Sequence, residues 1–337
     1  MFVSVIVPVY NAQEYLERTL SAVALSDYPD KELIVVDDVS TDHSVEIAKQ
    51  FKGLLIESKV RQGPGLARNQ GVQESRGDIL FFVDADVQIS SDTISQIARE
   101  MKAHPEVSAV FGSYDDKPLQ KDFFSQYKDL FHHFIHQQSR EEATTFWAGC
   151  GAVRREAFLK AGGFPKNFKS SPLEDVVEDV VLGYKMKEQG ARIRLSKHIQ
   201  VKHLKKWSFW TLLKTDIFQR AIPWTRFAFE KGLPGDLNFR WTDRISAISV
   251  WGLLLSLCLS VRWPWLMVLG LILLSLLIYL DRDLYLFFLR KRGRRFASAA
   301  LIYHWFYYLY SSAVFCFFSL FLIARSLKFN NFHDKKN

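Results

Sequence analysis

The sequence predicts an α/β domain with a mainly parallel sheet, followed by interfacial and membrane-spanning helices. Short β-rich runs alternate with helically spaced segments through residues 1–205. Polar residues gather where those runs end. After residue 205 long apolar runs take over, separated by aromatic and basic residues.

The elements follow in order. "VSVIVPVY" is a compact β-rich run, and "AQEYLERTLSAVAL" continues with helical spacing. The first run has some look of a short signal peptide. No basic stretch precedes it, however, and Pro8 and Asn11 interrupt it, so it is read as a strand. "ELIVVDDVS" is a second strand ending on Asp37 and Asp38. "TDHSVEIAKQF" opens on a good cap, Thr41 or Asp42, and continues as a helix. "LLIES" is a third strand, "GPGLARNQGVQES" a glycine turn into a helix, and "DILFFVDAD" a fourth strand. This alternation argues for a parallel sheet covered on both faces. Ligands of such sheets bind at the carboxyl ends of the strands, where Asn11, Asp37, Asp38, Asp84 and Asp86 all fall.

Residues 206–241 mix Trp, Phe, Leu, Lys and Arg at roughly helical spacing. They read as amphipathic segments on a bilayer surface, the alternative being an ordinary packed helix. Within 242–324 lie three apolar runs, at 245–261, 263–280 and 297–324. A spanning helix needs about 20 residues, so two to three spans are expected. The stretch "DRDLYLFFLRKRGRRF" is read as a loop, and its basic cluster, Arg290 to Arg295, places it in the cytosol together with the N-terminal domain. The polar tail, 325–337, carries Arg325, Lys328, Lys335 and Lys336, which sits poorly with export by a third span.

Charge and cysteines agree with this reading. There are 44 Lys+Arg against 36 Asp+Glu, a formal net charge of +8. The basic residues flank apolar runs, which favours a membrane surface over nucleic acid. Cys150, Cys258 and Cys316 form no CxxC pair, so neither a disulfide framework nor a zinc site is expected, and a reducing compartment fits.

Two acidic groups carry the chemistry. In "FFVDADVQIS" an apolar run stops on Asp84 and Asp86. Residues i and i+2 of an extended chain share a side, so the carboxylates converge and repel unless something cationic lies between them. A divalent metal is one reading and a solvated turn the other. The second group, "SSPLEDVVEDVVLGYKMKEQG", holds Glu174–Asp175 and Glu178–Asp179. It is read either as a source of a general base or as an acidic helix start favoured by the dipole.

The segments "VIVPVYNAQEYLERTL", "ELIVVDDVSTDHS", "GPGLARNQG", "GDILFFVDADVQI", "WAGCGAVRREAFLKAGGF" and "EDVVLGYKMKEQG" together resemble family 2 glycosyltransferases of GT-A fold. They cover most of residues 3–195, in family order. The trailing apolar runs resemble, more loosely, membrane-attached members that act on lipid or polysaccharide acceptors. The resemblance implies an inverting transfer of sugar from a nucleoside-diphosphate donor, UDP-sugar favoured, to a lipid or lipid-linked acceptor. Pro8, Tyr10, Asn11 and Asp37 would line the base and ribose, and Asp38 would accept from a uracil-like N–H. Arg68 would face the diphosphate or base. The Asp84/Asp86 pair would hold Mg²⁺ or Mn²⁺, with Asp86 the direct ligand and Asp84 the ribose or metal partner. His203, if not merely a surface histidine, would be a further ligand. Asp179 of the Glu178–Asp179 pair would be the base, with Asp175 second in line. Gly149 and Gly151 would let backbone approach the donor sugar, unless they only shape a turn. Gln219, Arg220 and Trp224 would meet the donor sugar or acceptor.

Two departures from the family pattern stand out. Val39 occupies a position where the family usually has Gly, so a changed loop is expected there. "QRAIPW" only partly matches the acceptor-channel signature of processive synthases, which argues against polymer secretion. An acceptor that is already anionic, a polyprenyl phosphate, would not need a strong base. A nucleotidyltransferase would need a basic, glycine-rich first loop, and a dinucleotide oxidoreductase a G-x-G-x-x-G; "PVYNAQEY" supplies neither. A degenerate membrane scaffold is the non-enzyme alternative, and the intact acidic pairs count against it.

Overall fold

The structure, a computed structural model, describes residues 1–165, 177–231 and 241–333. Glu174, Asp175, Lys335 and Lys336 lie outside the described residues, as does 232–240 of the expected interfacial stretch. The chain divides into two compact units, one ending at Trp207 and the other beginning at Ser208.

In the first unit, β1 (Val3–Val9), β2 (Lys31–Asp37), β3 (Leu54–Glu57) and β4 (Ile79–Val83) run parallel in the order β3-β2-β1-β4. All seven residues of β1 and all five of β4 are buried, as strands covered on both faces require. The helices between them are α1 (Leu16–Ala24), α2 (Ser44–Ala48) and α3 (Pro64–Gln73). Leu16, Thr19, Leu20 and Val23 form the buried stripe of α1 at helical spacing. Gly71 brings α3 close to the sheet, because a Cβ there would stand 2.6 Å from Ile6 Cγ2.

Beyond β4 the sheet becomes mixed. β5 (Val87–Gln88), α4 (Thr93–Ala103), β6 (Val107–Tyr114), α5 (Phe123–Gln138), β7 (Glu142–Ala143), β8 (Cys150–Arg154), α6 (Arg155–Lys160), α7 (Glu178–Glu188) and β9 (Arg192–His203) follow. β8 runs antiparallel between β4 and β6, and β9 lies parallel to β6. The two residues of β5 pair with the far end of β9, Val87 opposite His203. That pairing clips the turn after β4 to the end of β9. Asp122 caps α5 by accepting from Ser125 N at 3.0 Å.

The second unit is helical: α8 (Phe209–Lys214), a π-helical stretch (Thr215–Ala221), α9 (Ile222–Lys231), α10 (Trp241–Ser260), α11 (Leu266–Leu280) and α12 (Arg282–His333). Among the described residues two helices, Trp241–Ser260 and Arg282–Arg325, are long and apolar enough to cross a bilayer. The 15 residues of α11 fall short of the usual ~17–25. Ile248, Leu255, Met267, Val268 and Ile302 are exposed, an apolar surface that water does not favour. Buried acids here have partners: Asp281 accepts from Trp305 Nε1 at 2.9 Å and Tyr308 at 3.1 Å, and Asp216 accepts from Tyr310 at 2.8 Å. The stretch expected as a basic loop is instead helical on both sides of one break, at Gly293 with φ 79°. Glycine takes that φ without a Cβ clash, so a single residue turns the chain where a loop was anticipated.

Candidate functional site

The loops after β1, β2 and β4 leave the same edge of the parallel sheet. Asp84 N donates to Gly149 O at 3.2 Å, and Leu204 N donates to Asp86 O at 2.8 Å. Backbone contacts to the loop before β8 and to the end of β9 therefore fix where each aspartate stands. Thr19 of α1 adds a third tie, its hydroxyl donating to Ala85 O at 2.8 Å.

Arg68 joins the two acidic groups. Its guanidinium is buried, with Nη2 2.5 Å from Asp84 Oδ1 and Nη1 3.0 Å from Glu178 Oε1. A rigid fork can bridge two carboxylates in this way, which a lysine cannot reproduce. Gly65 permits the approach of α7, since a Cβ there would lie 2.9 Å from Glu178 Cγ. Burial works against the Arg68 charge, yet Asp84, Glu178 and Asp179 outweigh it and hold the guanidinium ionised.

Asp86 faces His203, Oδ2 to Nε2 at 3.6 Å. The other nitrogen of His203, Nδ1, lies 2.7 Å from Asp129 Oδ1 on α5. Tyr114 stacks on the imidazole with centroids 4.5 Å apart and planes 17° apart. Burial lowers the imidazole pKa, but Asp129 and Asp86 overcome it and lift His203 to about 9. Burial likewise pushes Asp86 up, while His203 and Lys205 hold its carboxyl below the usual range.

Asp179 has no such cation of its own. It takes weak backbone donation from Ala148 N at 3.4 Å and a bond from Val180 N at 2.8 Å. Burial and the neighbouring Glu178 charge push it up to about 7, against the pull of Arg68. Glu178 is committed to Arg68, so Asp179 is the carboxylate of this pair placed to exchange a proton near neutrality.

The turn after β2 is held by backbone. Asp38 is buried and accepts from Gln62 N and Gly63 N, both at 2.7 Å. Its carboxylate thus ties the loop before α3, a duty beside the expected contact with a base. Asp37 accepts from Ser40 N at 3.0 Å, while its Oδ1 is buried with no partner among the described residues. Asn11 accepts from Thr41 N at 2.8 Å with φ 49°. Val39 has φ 66°, in the left-handed region that glycine favours and a β-branched residue rarely takes. Pro8 is buried within β1, opposite Val36. Tyr10 is exposed, and the Arg61 guanidinium lies 3.8 Å above its ring.

The remaining expected residues have these surroundings. Gly149 and Gly151 make room for neighbouring rings: a Cβ on Gly149 would lie 2.7 Å from the Trp147 indole, and one on Gly151 2.5 Å from Phe146. Gln219, Arg220 and Trp224 belong to the second unit, on its π-helical stretch and α9. There Arg220 Nη1 is 3.8 Å from Asp216. Sequence reading missed Asp129, Lys205 and Arg61. A carboxylate in the middle of an apolar helix, "QYKDLFHHF", is the one signal that pointed toward Asp129.

The donor set suits a divalent cation completed by a ligand. Among the described residues no three His, Cys, Asp or Glu converge into a cage. Mg²⁺ and similar ions at phosphate sites use one or two carboxylates together with phosphate oxygens, so Asp86 with a diphosphate fits such a site, and His203 would join it as a ligand only on giving up its Nε2 proton. The imidazolium of His203 lies between Asp86 and Asp129, so positive charge is already wanted there.

Residues 4–162 match the model of Glycosyl transferase family 2. The N-terminal unit belongs to this family. Its fold is GT-A: the mannosyltransferase PcManGT from Pyrobaculum calidifontis, solved with GDP-Man and Mn²⁺, superposes with a TM-score of 0.53 at 24% identity, over 69% of this chain and 65% of that one. Among curated proteins, the poly(ribitol-phosphate) beta-N-acetylglucosaminyltransferase TarS of Staphylococcus aureus is 36% identical over 109 residues, 30% of this chain and 19% of the relative. The poly-beta-1,6-N-acetyl-D-glucosamine synthase of Staphylococcus epidermidis is 30% identical over 115 residues, 33% of this chain and 28% of the relative. The glycosyltransferase AglE of Haloferax volcanii is 45% identical over 93 residues, 25% of this chain and 30% of the relative. The chain therefore spans less than a third of the length of each of these three relatives.

Proposed function

We propose that the protein is an inverting glycosyltransferase. It moves a sugar from a nucleoside-diphosphate donor, UDP-sugar favoured, to a membrane-bound lipid or lipid-linked glycan, with a divalent metal, Mg²⁺ or Mn²⁺, assisting. The observation that carries this reading is the division of labour around Arg68: Asp84 and Glu178 share its one guanidinium as ion-pair partner, and Asp179 beside them is pushed up to about 7.

In this reading the acceptor oxygen attacks the anomeric carbon while Asp179 takes its proton. The bond from that carbon to the diphosphate oxygen breaks on the opposite face, so configuration inverts and the nucleoside diphosphate leaves. A cation on Asp86 and His203 would offset charge on the departing diphosphate. Arg68 orients Asp84 and Glu178, and Asp38 holds the loop that carries α3. The two apolar helices of the second unit support a membrane location, the basic run Arg290 to Arg295 favours the cytosolic face for the catalytic unit, and a membrane location favours an acceptor presented by the bilayer.

The test is ligand-dependent thermal stability of the full chain in detergent. UDP or GDP with Mn²⁺ is expected to raise the melting temperature, chelator to abolish the gain, and Asp86→Ala to lose it. Transfer from a UDP- or GDP-sugar to a lipid extract should follow the same pattern. No shift with any nucleotide, and no turnover with any extract, would leave only the fold and return the scaffold reading.

A further inference from the structure

We propose that Asp129 is a positioning residue of the metal site, acting through His203. The inference rests on the donor-site reading above and adds a residue which that reading does not use.

Asp129 lies on α5, far in sequence from both acidic motifs, and is 1% exposed. A carboxylate so deeply buried is costly without a partner. Its Oδ1 is 2.7 Å from His203 Nδ1, while its Oδ2 is buried without a hydrogen-bond partner among the described residues. The carboxylate is therefore spent on one contact, and that contact selects one ring nitrogen. With Nδ1–H donating to Asp129, a neutral His203 carries its lone pair on Nε2. Nε2 is the atom that faces Asp86. Tyr114 fixes the plane of the ring by stacking, and the Val87–His203 pairing fixes its backbone. Asp129 supplies what neither can: the choice of nitrogen. A carboxylate on the outer nitrogen also makes imidazole a better ligand, and losing such a partner typically weakens metal binding about 10- to 100-fold.

Mn²⁺ is titrated into the full chain in detergent with UDP present, and free Mn²⁺ is counted by its EPR signal. Asp129→Ala and Asp129→Leu, the latter filling the site with an apolar side chain, are both expected to weaken Mn²⁺ binding about 10- to 100-fold. Asp129→Asn, whose amide oxygen can accept from Nδ1–H, is expected to restore most of it. In a His203→Ala background the Asp129 substitutions should cost nothing further, because the residue acts through that ring. Melting temperatures without metal separate this from a loss of fold, and the Leu variant serves if the Ala variant does not fold. Equal Mn²⁺ affinity in wild type and Asp129→Leu, or an equal loss with and without His203, would overturn the proposal while leaving the donor site standing. Wild type binding Mn²⁺ no better than Asp86→Ala would instead defeat the metal-assisted reading itself, and this inference with it.

Discussion

The two acidic pairs at the sheet edge, Asp84/Asp86 and Glu178/Asp179, are alike in sequence and unlike in charge balance. Each member of the first pair meets a buried cation, Asp84 with Arg68 and Asp86 with His203. In the second pair only Glu178 does. Asp86 is held below its ordinary range, and Asp179 is pushed up to about 7. Neighbouring carboxylates thus acquire opposite readiness to hold a proton through which cation each can reach. One group suits ligation and the other proton transfer.

The largest effect expected of this difference is at Asp179. Asp179→Asn removes the base and keeps the shape, so transfer to a hydroxyl acceptor should fall roughly 10²- to 10⁴-fold in initial rate. Asp84→Asn and Asp86→Asn should instead raise the metal and donor concentrations needed. If Asp179→Asn retains substantial activity, the acceptor brings its own negative charge, as a polyprenyl phosphate would.

Next in size is the loss of the shared cation. Arg68→Met leaves Asp84 and Glu178 facing each other without compensation. Removing one partner of a buried ion pair costs about 3 kcal/mol at the lower end of the usual range, which applies because both carboxylates are partly exposed. Denaturant unfolding in detergent measures it. Arg68→Lys should recover only part, as one ammonium lacks the two-armed fork. Full stability in Arg68→Met would show that the pairs are not linked through this residue.

The third expectation is a pH profile. Asp179 must be ionised to accept a proton, so activity should fall as pH drops below about 7. Glu178→Gln removes a repelling charge and should move that limb to lower pH. The sign for stability is opposite. With its folded pKa raised from 3.8 to about 7, Asp179 binds more protons folded than unfolded across that window. Its contribution to stability is therefore complete below about pH 4 and is lost as pH rises toward 7. A limb that Glu178→Gln leaves unmoved would contradict the coupling.

Much of this arrangement was legible in the sequence. The order and burial of β1 to β4 followed from short apolar runs between helical segments, since strands covered on both faces read as continuous apolar stretches. The acidic motifs were visible because each ends an element. Pairings across distant elements were not. Nothing local states that Arg68 reaches Glu178, 110 residues away, or that Asp129 turns toward His203, 74 away. Those contacts exist only once α7 and α5 pack beside the sheet. Gly293 was misread for a related reason: a basic run with one glycine suits a loop, whereas one positive φ turns a helix just as well.

The smallest predicted effect concerns a third carboxylate pair, Asp37/Asp38, and shows how far the contrast extends. Here backbone amides replace cations: Gln62 and Gly63 donate to Asp38, and Ser40 donates to Asp37. That solution demands a particular chain path, and Val39, between Asp38 and Ser40, pays in strain. A β-branched residue at φ 66° is an outlier, whereas Asn11 at φ 49° tolerates the region well. Leaving the left-handed region to a non-glycine residue costs roughly 1–2 kcal/mol. Val39→Gly would relieve it but give back about 0.5–1 kcal/mol of chain entropy. A net stabilisation of up to about 1 kcal/mol is expected, read as a small rise in denaturant midpoint. The Val39 side chain is partly exposed, so little packing is lost with it. Destabilisation by Val39→Gly would mean that the turn relies on the valine methyl groups, and that amide donation alone does not hold this third pair.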